Sequence, residues 1–233
     1  MSVTEQKYRH EIKYLVSAAQ IPLLKSRIAS LLPKDPHAGP TGSYTVRSLY
    51  FDDYYNRCFY ENENGTDPRE KFRIRIYNHS SDRITLECKR KEHGKTLKTS
   101  CPLTLAQANQ LIQGIPLNHS KINHPLLQKL TLQMQTRRLR PVIIVEYERI
   151  PFIYKAGNVR ITFDTKISSS SNILDFFSPS LPKRPIMPTG QHLMEVKYDE
   201  YLPDFIYHNL NLRQLRQETY SKYYLCRKYT LRK

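Results

Sequence analysis

The chain has 233 residues, and its 37 Lys and Arg side chains against 21 Asp and Glu give a formal net charge of +16. Its 39% of hydrophobic residues, with 17 Tyr and 8 Phe, exclude wholesale disorder and suffice for a sizeable core. Seven glycines against fifteen prolines disfavour glycine-rich nucleotide loops, and four scattered cysteines without a Cys-x-x-Cys pair indicate neither a zinc site nor a disulfide framework. The positive charge predicts an anionic partner: nucleic acid, an anionic lipid or a polyphosphorylated small molecule.

Apolar runs are short throughout the sequence. The longest are only about four residues, as at positions 142–145, whereas a membrane helix needs about 20 apolar residues. Positions 1–13 are charged and contain no apolar stretch of the kind found in signal peptides. The sequence therefore predicts no membrane segment, and the expected location is the reducing cytoplasm.

Alternation of apolar and polar residues predicts eight strands in chain order. They cover positions 3–16, 44–51, 71–77, 83–91, 95–101, 141–152, 158–164 and 193–198. Capping residues predict helices at 18–32 after Ser17, at 105–113 after Thr104, at about 123–136, and after Thr219 or Ser221 to 229. The linkers at 33–43 and 168–188 are too short to separate domains, so residues 1–233 are predicted to form a single α+β domain. Its sheet is predicted to be antiparallel and able to close into a barrel.

The charged faces of these strands share a pattern. Residues i and i+2 of a strand lie on the same face, and Glu-x-Lys occurs in three strands, at 11–13, 87–89 and 195–197. Arg-x-Arg at 73–75 and Tyr-x-Arg at 147–149 repeat the spacing. Any one strand fits the solvated side of an open sheet, but together these faces are dominated by Arg and Lys. If the strands close with their apolar sides beneath the helices, the charged sides line a lumen.

Such a lumen suits a polyanion and its metal ions. Each charge-assisted contact from Arg or Lys to a phosphate oxygen contributes about 1.5–3 kcal/mol. The glutamates of the three Glu-x-Lys motifs are hard oxygen ligands that suit Mg²⁺ or Mn²⁺. The residues alone therefore predict a basic tunnel with carboxylates, and they leave open which anion it binds.

Seven segments, taken in order, resemble the VTC domain, the polyphosphate polymerase core of the vacuolar transporter chaperone family. This family is a branch of the triphosphate tunnel metalloenzymes. The segments are YRHEIKY (8–14), SLYFD (48–52), KFRIRIY (71–77), LECKRK (86–91), RITFD (160–164), MEVK (194–197) and YSKY (220–223). The resemblance runs from about Lys7 to Tyr229.

The resemblance implies an eight-stranded antiparallel β-barrel tunnel with helices packed outside and a C-terminal helix. It also implies that the tunnel binds ATP and, with Mn²⁺ or Mg²⁺, transfers the terminal phosphoryl group to a growing inorganic polyphosphate chain. The implied basic phosphate contacts are Lys13, Arg73, Arg75, Lys89, Lys98, Arg149, Arg160, Lys197 and Lys222. Tyr147 and Ser221 would donate hydroxyls, and Glu195 matches the family's metal-binding carboxylate. Glu11 and Glu87 would be second-rank metal ligands or partners of lysines.

Two features depart from the family pattern. Lys98 is followed by Thr99, Ser100 and Cys101 rather than by another basic residue, which leaves one side of the tunnel less positive. The sequence also lacks the regulatory SPX and transmembrane portions of the eukaryotic assemblies, so a stand-alone enzyme is expected.

Two other functions stay open from the sequence. A tunnel-fold triphosphatase would hydrolyse inorganic triphosphate or a nucleoside or thiamine triphosphate, but Arg9 replaces the first Glu of the Glu-x-Glu-x-Lys opening of such hydrolases. A non-enzymatic module that binds polyanions or nucleic acid is supported by net charge alone. We expect ATP and polyphosphate or triphosphate as partners, and no nucleic acid. The sequence does not predict an oligomeric state.

Overall fold

A curled antiparallel sheet of ten strands dominates the structure, a computed structural model that describes residues 8–231. The strands are β1 (His10–Ser17), β2 (Tyr44–Asp52), β3 (Arg69–Tyr77), β4 (Ile84–Glu92), β5 (Lys95–Leu103), β6 (Arg140–Tyr154), β7 (Val159–Ser170), β8 (Arg184–Pro185), β9 (Gln191–Tyr198) and β10 (Arg216–Gln217). The eight longer ones correspond to the eight predicted strands. The predicted start of the first strand, at positions 3–7, lies outside the described residues.

The order of the strands across the sheet is β10-β1-β9-β7-β6-β2-β3-β4-β5, with β8 paired to β7. The chain just before β1 meets β5 through a pair of backbone hydrogen bonds, from Arg9 N to Thr96 O and from Thr96 N to Arg9 O, both 2.9 Å. The sheet therefore curls back on itself and encloses an interior. The antiparallel sheet and its curvature confirm the predicted fold class.

Strand β7 is longer than predicted. It runs six residues past Asp164 into the serine run, so the predicted linker 168–188 begins inside a strand. Ser168 and Ser169 pair with β8, and Ser168 Oγ donates to the carbonyl of Glu146 on β6. A hydroxyl that bonds to a neighbouring strand is satisfied inside a sheet, which is why this serine run is not a loop.

Six helices accompany the sheet within residues 8–231. They are α1 (Gln20–Ala29), α2 (Arg57–Glu63), α3 (Leu105–Ile112), α4 (Pro125–Arg137), α5 (Asp204–Asn209) and α6 (Lys222–Leu231). Thr104 caps α3 as predicted, through a hydrogen bond from the backbone amide of Gln107. Helix α1 begins later than predicted, with Ala19 as its N-cap, although the Ser17 hydroxyl accepts from the backbone amide of Gln20. Helices α2 and α5 were not predicted, because seven and six residues are too few to show a helical period.

The core lies on both sides of the sheet. Outside, β3, β4 and β5 pack on α3 and α4 around residues such as Ile74 and Leu111, and β1, β7 and β9 pack on α1 and α5. Inside, α6 packs Tyr223 and Cys226 against Val46 and Val145. The predicted C-terminal helix therefore covers the inner face of the sheet and brings its first turn to the interior.

No helix within residues 8–231 combines the length and apolar character that a membrane crossing requires.

Candidate functional site

The inner faces of the strands and the start of α6 enclose a cavity of about 660 Å³. This volume lies within the range of about 300–1,000 Å³ that is typical of ligand pockets. Most of the predicted site residues line it: Glu11, Lys13, Arg73, Arg75, Lys89, Tyr147, Arg149, Glu195, Lys197, Ser221 and Lys222. The structure therefore brings together most of the side chains that the alternating pattern and the resemblance indicated.

Three predicted site residues do not line this cavity: Lys98, Arg160 and Glu87. The side chain of Lys98 is 53% exposed, and its Nζ lies 3.1 Å from Glu87 Oε1. Arg160 donates from Nη2 to Asp35 Oδ2 at 2.5 Å and to the Tyr44 hydroxyl at 2.9 Å. Lys98 and Arg160 therefore lie outside the cavity lining, and their roles as phosphate contacts stay predictions.

Glu87 fixes the orientation of Arg73. Oε2 of this buried carboxylate accepts from Arg73 Nε at 2.7 Å and lies 2.6 Å from Arg73 Nη2. Nη1 of the same guanidinium donates to the Tyr50 hydroxyl at 2.9 Å. Burial alone would raise the pKa of Glu87, but Arg75 and Arg73 outweigh it and hold that pKa well below its usual range. Glu87 is thus a permanent anion that holds Arg73 in place.

Two neutral hydroxyl groups and the carboxylate of Glu87 surround the guanidinium of Arg75. Its Nε donates to Ser48 Oγ at 3.0 Å, and its Nη2 donates to the Tyr147 hydroxyl at 3.3 Å. Its Nη1 lies 3.6 Å from Glu87 Oε2. Because Glu87 is shared with Arg73 and Lys98, the local charge stays positive and available for an anion.

A second cluster joins Glu195, Asp164, Arg149 and Lys222. Lys222 Nζ lies 2.6 Å from Asp164 Oδ2 and 2.6 Å from Glu195 Oε1. Arg149 donates to both oxygens of Asp164, at 2.7 and 2.8 Å, and to Glu195 Oε2 at 3.3 Å. Asp164 is fully buried and was not among the predicted site residues. Asp164 lies on the same face of β7 as Thr162, and Thr162 lies opposite Glu195. This shared face was the signal that could have identified Asp164.

Glu195 is ionised despite its burial. Burial would raise its pKa, but Lys197, Lys222 and Arg149 hold it well below the usual value. Lys197 Nζ lies 2.8 Å from Glu195 Oε2. The pKa of Lys222 is raised, because its two carboxylate partners outweigh the effect of burial. This cluster is therefore a network of fixed charges rather than of titrating groups.

Glu11 is the counter-ion of Lys89 on β4 and of Lys13 on its own strand, β1. Lys89 Nζ donates to its two oxygens at 2.8 and 2.6 Å, and Lys13 Nζ lies 3.3 Å from Oε1. Burial would raise the pKa of Glu11, but Lys89 and Lys13 hold it well below its usual range. Burial lowers the pKa of Lys89 to about 7 in spite of this partner.

Lys71 also lines the cavity, although it was not among the predicted site residues. It lies directly opposite Lys89 in the β3–β4 pair. Its Nζ donates to Asn62 Oδ1 at 2.8 Å and to Ser221 Oγ at 3.2 Å. Burial, together with the nearby Arg69 and other cations, lowers the pKa of Lys71 to about 7. Like charges opposite each other destabilise a sheet, so this part of the wall favours an anionic ligand.

The carboxylates fit a divalent ion only in part. No group of three or more His, Cys, Asp or Glu side chains in the described part of the chain forms a ready metal site. Glu11 and Glu195 both line the cavity from adjacent strands, since Glu195 lies opposite Lys13. Mg²⁺ is commonly bound by one or two carboxylates together with substrate phosphates, so this pair fits such an ion. Glu87 does not fit such an ion, because it does not line the cavity.

The chain is similar to solved structures of low sequence identity. A putative adenylyl cyclase from Hippeastrum, described as having a dominant triphosphatase activity, is 14% identical over 95% of this chain and 96% of its own, with a TM-score of 0.52. A Pyrococcus horikoshii protein is 13% identical over 95% of this chain and 99% of its own, with a TM-score of 0.49. At such identity the first likeness shows a shared fold and nothing more. No curated protein matches the chain.

The family comparison covers almost the whole chain. The model described as the VTC domain matches residues 8–231, which is also the range that the structure describes. This range contains all seven segments in which the sequence resembles that domain, as well as the curled sheet and the charged cavity. The chain belongs to the VTC domain family.

Proposed function

We propose that this chain is a cytoplasmic polyphosphate polymerase, which transfers the terminal phosphoryl group of ATP to a growing inorganic polyphosphate chain in the cavity. The observation that carries the proposal is the wall itself. Basic side chains from β1, β3, β4, β6, β9 and α6 converge on about 660 Å³ of space. A chain of phosphates offers oxygens on all sides, so a wall that is basic all round suits it better than a flat basic patch would.

The cations that would contact the phosphates are held before the substrate arrives. Glu87 fixes Arg73, and Asp164 fixes Arg149 and Lys222. Donors fixed in this way need no reorganisation when charge develops on the transferred group. Mg²⁺ or Mn²⁺ at Glu195 and Glu11 would, when bound, neutralise charge on the phosphate oxygens. Catalysis of this kind depends on position and electrostatics.

A second candidate is a triphosphatase that uses the same wall with water as the phosphoryl acceptor. The likeness to the Hippeastrum protein, which is described by its triphosphatase activity, favours it. Against it stands the first strand, where Arg9 occupies the place of the first Glu of the hydrolases' Glu-x-Glu-x-Lys motif.

One incubation separates the two candidates. The purified protein is mixed with ATP and Mn²⁺, the products are run on a gel stained for polyphosphate, and free phosphate is assayed in parallel. A ladder of polymer supports the polymerase, and free phosphate without polymer supports the triphosphatase. If neither product forms, both enzymatic proposals fail. A comparison of the affinities for tripolyphosphate and for DNA then tests whether the chain is a polyanion-binding module.

Replacing Arg75 with alanine is expected to weaken the binding of tripolyphosphate by about 1.5–3 kcal/mol, the size of one charge-assisted contact. Isothermal titration calorimetry without metal measures this change directly. The matched control is Arg137→Ala, an exposed arginine in the last turn of α4. Equal affinity of the Arg75 variant and the wild type would remove Arg75 from the site.

The affinity for tripolyphosphate is expected to fall as the pH rises through about 7, because Lys71 and Lys89 both lose their charge there. The sign follows from the lowered pKa: below it the ammonium attracts the anion, and above it the neutral amine does not. Titrations at about pH 6 and about pH 8 measure the change. In the Lys71→Arg variant the charge persists over this range, so a part of the pH dependence should disappear. An identical pH dependence in both proteins would contradict the prediction.

A further inference from the structure

The hydrogen bond between Lys71 and Ser221 has no part in the proposed function. Lys71 Nζ lies 3.2 Å from Ser221 Oγ, and both residues line the cavity. A nucleophile and its base in active sites stand about 2.6–3.2 Å apart, and serine–lysine pairs are one known form of this arrangement. The distance is therefore that of a reactive pair, and not only of a structural contact.

The surroundings of Lys71 favour a neutral amine. Its hydrogen-bond partners are Asn62 and Ser221, and within residues 8–231 it makes no ion pair with a carboxylate. Lys89 faces it across the strand pair, so a second ammonium group opposes its positive charge. A half-buried lysine beside other cations gives up its proton more readily than a free lysine, in agreement with its pKa, which burial lowers to about 7.

The position of Ser221 also favours a phosphorylated product. Its Oγ accepts from the backbone amide of Tyr224, and its carbonyl accepts from Leu225, so Ser221 caps α6. A phosphate at this place would lie beside Lys71 and the start of the helix, where negative charge is stabilised. The product of phosphoryl transfer is therefore stabilised without a change in the backbone.

We propose that Ser221 is a phosphoryl acceptor, which takes the terminal phosphoryl group of ATP with Lys71 as its general base. The bond from Oγ to the γ-phosphorus forms, and the bond from that phosphorus to the β,γ-bridging oxygen breaks. ADP leaves with the electron pair of the bridging oxygen, and the hydroxyl proton moves from Oγ to Nζ of Lys71. The inference rests on the proposed binding of ATP in the cavity, and it adds a covalent modification site to it.

The test uses the full chain with ATP labelled at the γ-phosphate and Mn²⁺. The protein is denatured, freed of nucleotide and polymer, and assayed for label that survives acid and is released by alkali, as expected for phosphoserine. Peptide mapping by mass spectrometry should place the label on Ser221. ATP labelled at the α-phosphate should leave the protein unlabelled, because only the terminal phosphoryl group moves.

Variants then separate chemistry from folding. Ser221→Ala should lose the label, and Lys71→Met should slow labelling by about 10²–10⁴-fold, the usual contribution of a general base. Ser221→Thr keeps a hydroxyl and a cap, and it should retain label at a reduced rate. The matched control is Ser17→Ala, since the Ser17 hydroxyl also accepts from a backbone amide of a helix but lies outside the cavity. This variant should be labelled like the wild type. Circular dichroism melts of all variants confirm that they are folded.

The outcomes distinguish this inference from the proposed function. If polymer or free phosphate forms while the wild type carries no label, the acceptor role of Ser221 is overturned and the enzymatic proposal stands. Equal labelling of Ser221→Ala and the wild type also overturns it. If ATP neither binds nor turns over, the proposed function and this inference fail together.

Discussion

We expect the Glu195→Gln variant to lose turnover of ATP while it keeps its fold and its affinity for tripolyphosphate in the absence of metal. Replacing a residue that only hydrogen-bonds to a metal ligand typically lowers activity about 10- to 100-fold. Replacing a direct ligand should therefore lower turnover by at least about 100-fold. The substitution also removes a negative charge from the wall of the cavity. Lys222, Lys197 and Arg149 surround Glu195, and the neutral amide leaves them with less internal compensation. Metal-free binding of the anion should therefore be as tight as in the wild type, or tighter.

The measurement is a pair of assays on one preparation: product formation with ATP and Mn²⁺, and calorimetric titration with tripolyphosphate in the presence of a chelator. Glu148→Gln is the matched control, because Glu148 lies on the outer side of β6, is 42% exposed and pairs with Lys166. Normal turnover in the Glu195 variant would exclude a metal-binding role. A joint loss of turnover and of metal-free binding would instead mean that Glu195 organises the cations.

Alternation in the sequence predicted which side of each strand faces the interior, and this is why most of the predicted site residues meet around the cavity. It could not predict how far along the barrel each side chain lies. Glu87 and Lys89 share a face, yet Lys89 lines the cavity and Glu87 lies behind Arg73. Lys98 and Arg160 likewise lie outside the lining of the cavity. Depth in the barrel depends on the stagger of neighbouring strands, which a single strand does not encode.

The sequence also could not show which helix enters the interior. Before both α1 and α6 a serine hydroxyl accepts from a backbone amide of the helix, but α1 packs outside and α6 packs inside. Tyr223 is the reason for this difference, because its hydroxyl donates to Asp52 at the end of β2. The carboxylate of Asp52 also accepts from the backbone amides of Cys58 and Phe59 in α2. This long-range network positions the first turn of α6, and thereby Ser221 and Lys222, at the cavity.

Asp164→Asn is expected to destabilise the protein by about 3–5 kcal/mol, the usual cost of removing one partner from a buried ion pair. Asp164 is fully buried. Among the described residues, Asp164 and Glu195 are the two carboxylates that contact both Arg149 and Lys222. Without it, two buried cations share one counter-ion. Chemical denaturation of the variant and the wild type at neutral pH measures the difference, with the exposed Asp175→Asn as a control that should be neutral.

The same variant tells whether Asp164 holds the cations for the substrate or competes with it. A ligand that binds only the folded state stabilises it by about 2.7 kcal/mol at one hundred times its dissociation constant. If Asp164 serves mainly as a stand-in for phosphate charge, tripolyphosphate should stabilise Asp164→Asn more than the wild type, because the anion replaces the missing counter-ion of Arg149 and Lys222. If its main task is to orient Arg149 through the two hydrogen bonds at 2.7 and 2.8 Å, the ligand should stabilise the variant less. The bidentate geometry suits orientation, but the fully buried charge dominates the energy, so we expect the larger ligand effect in the variant.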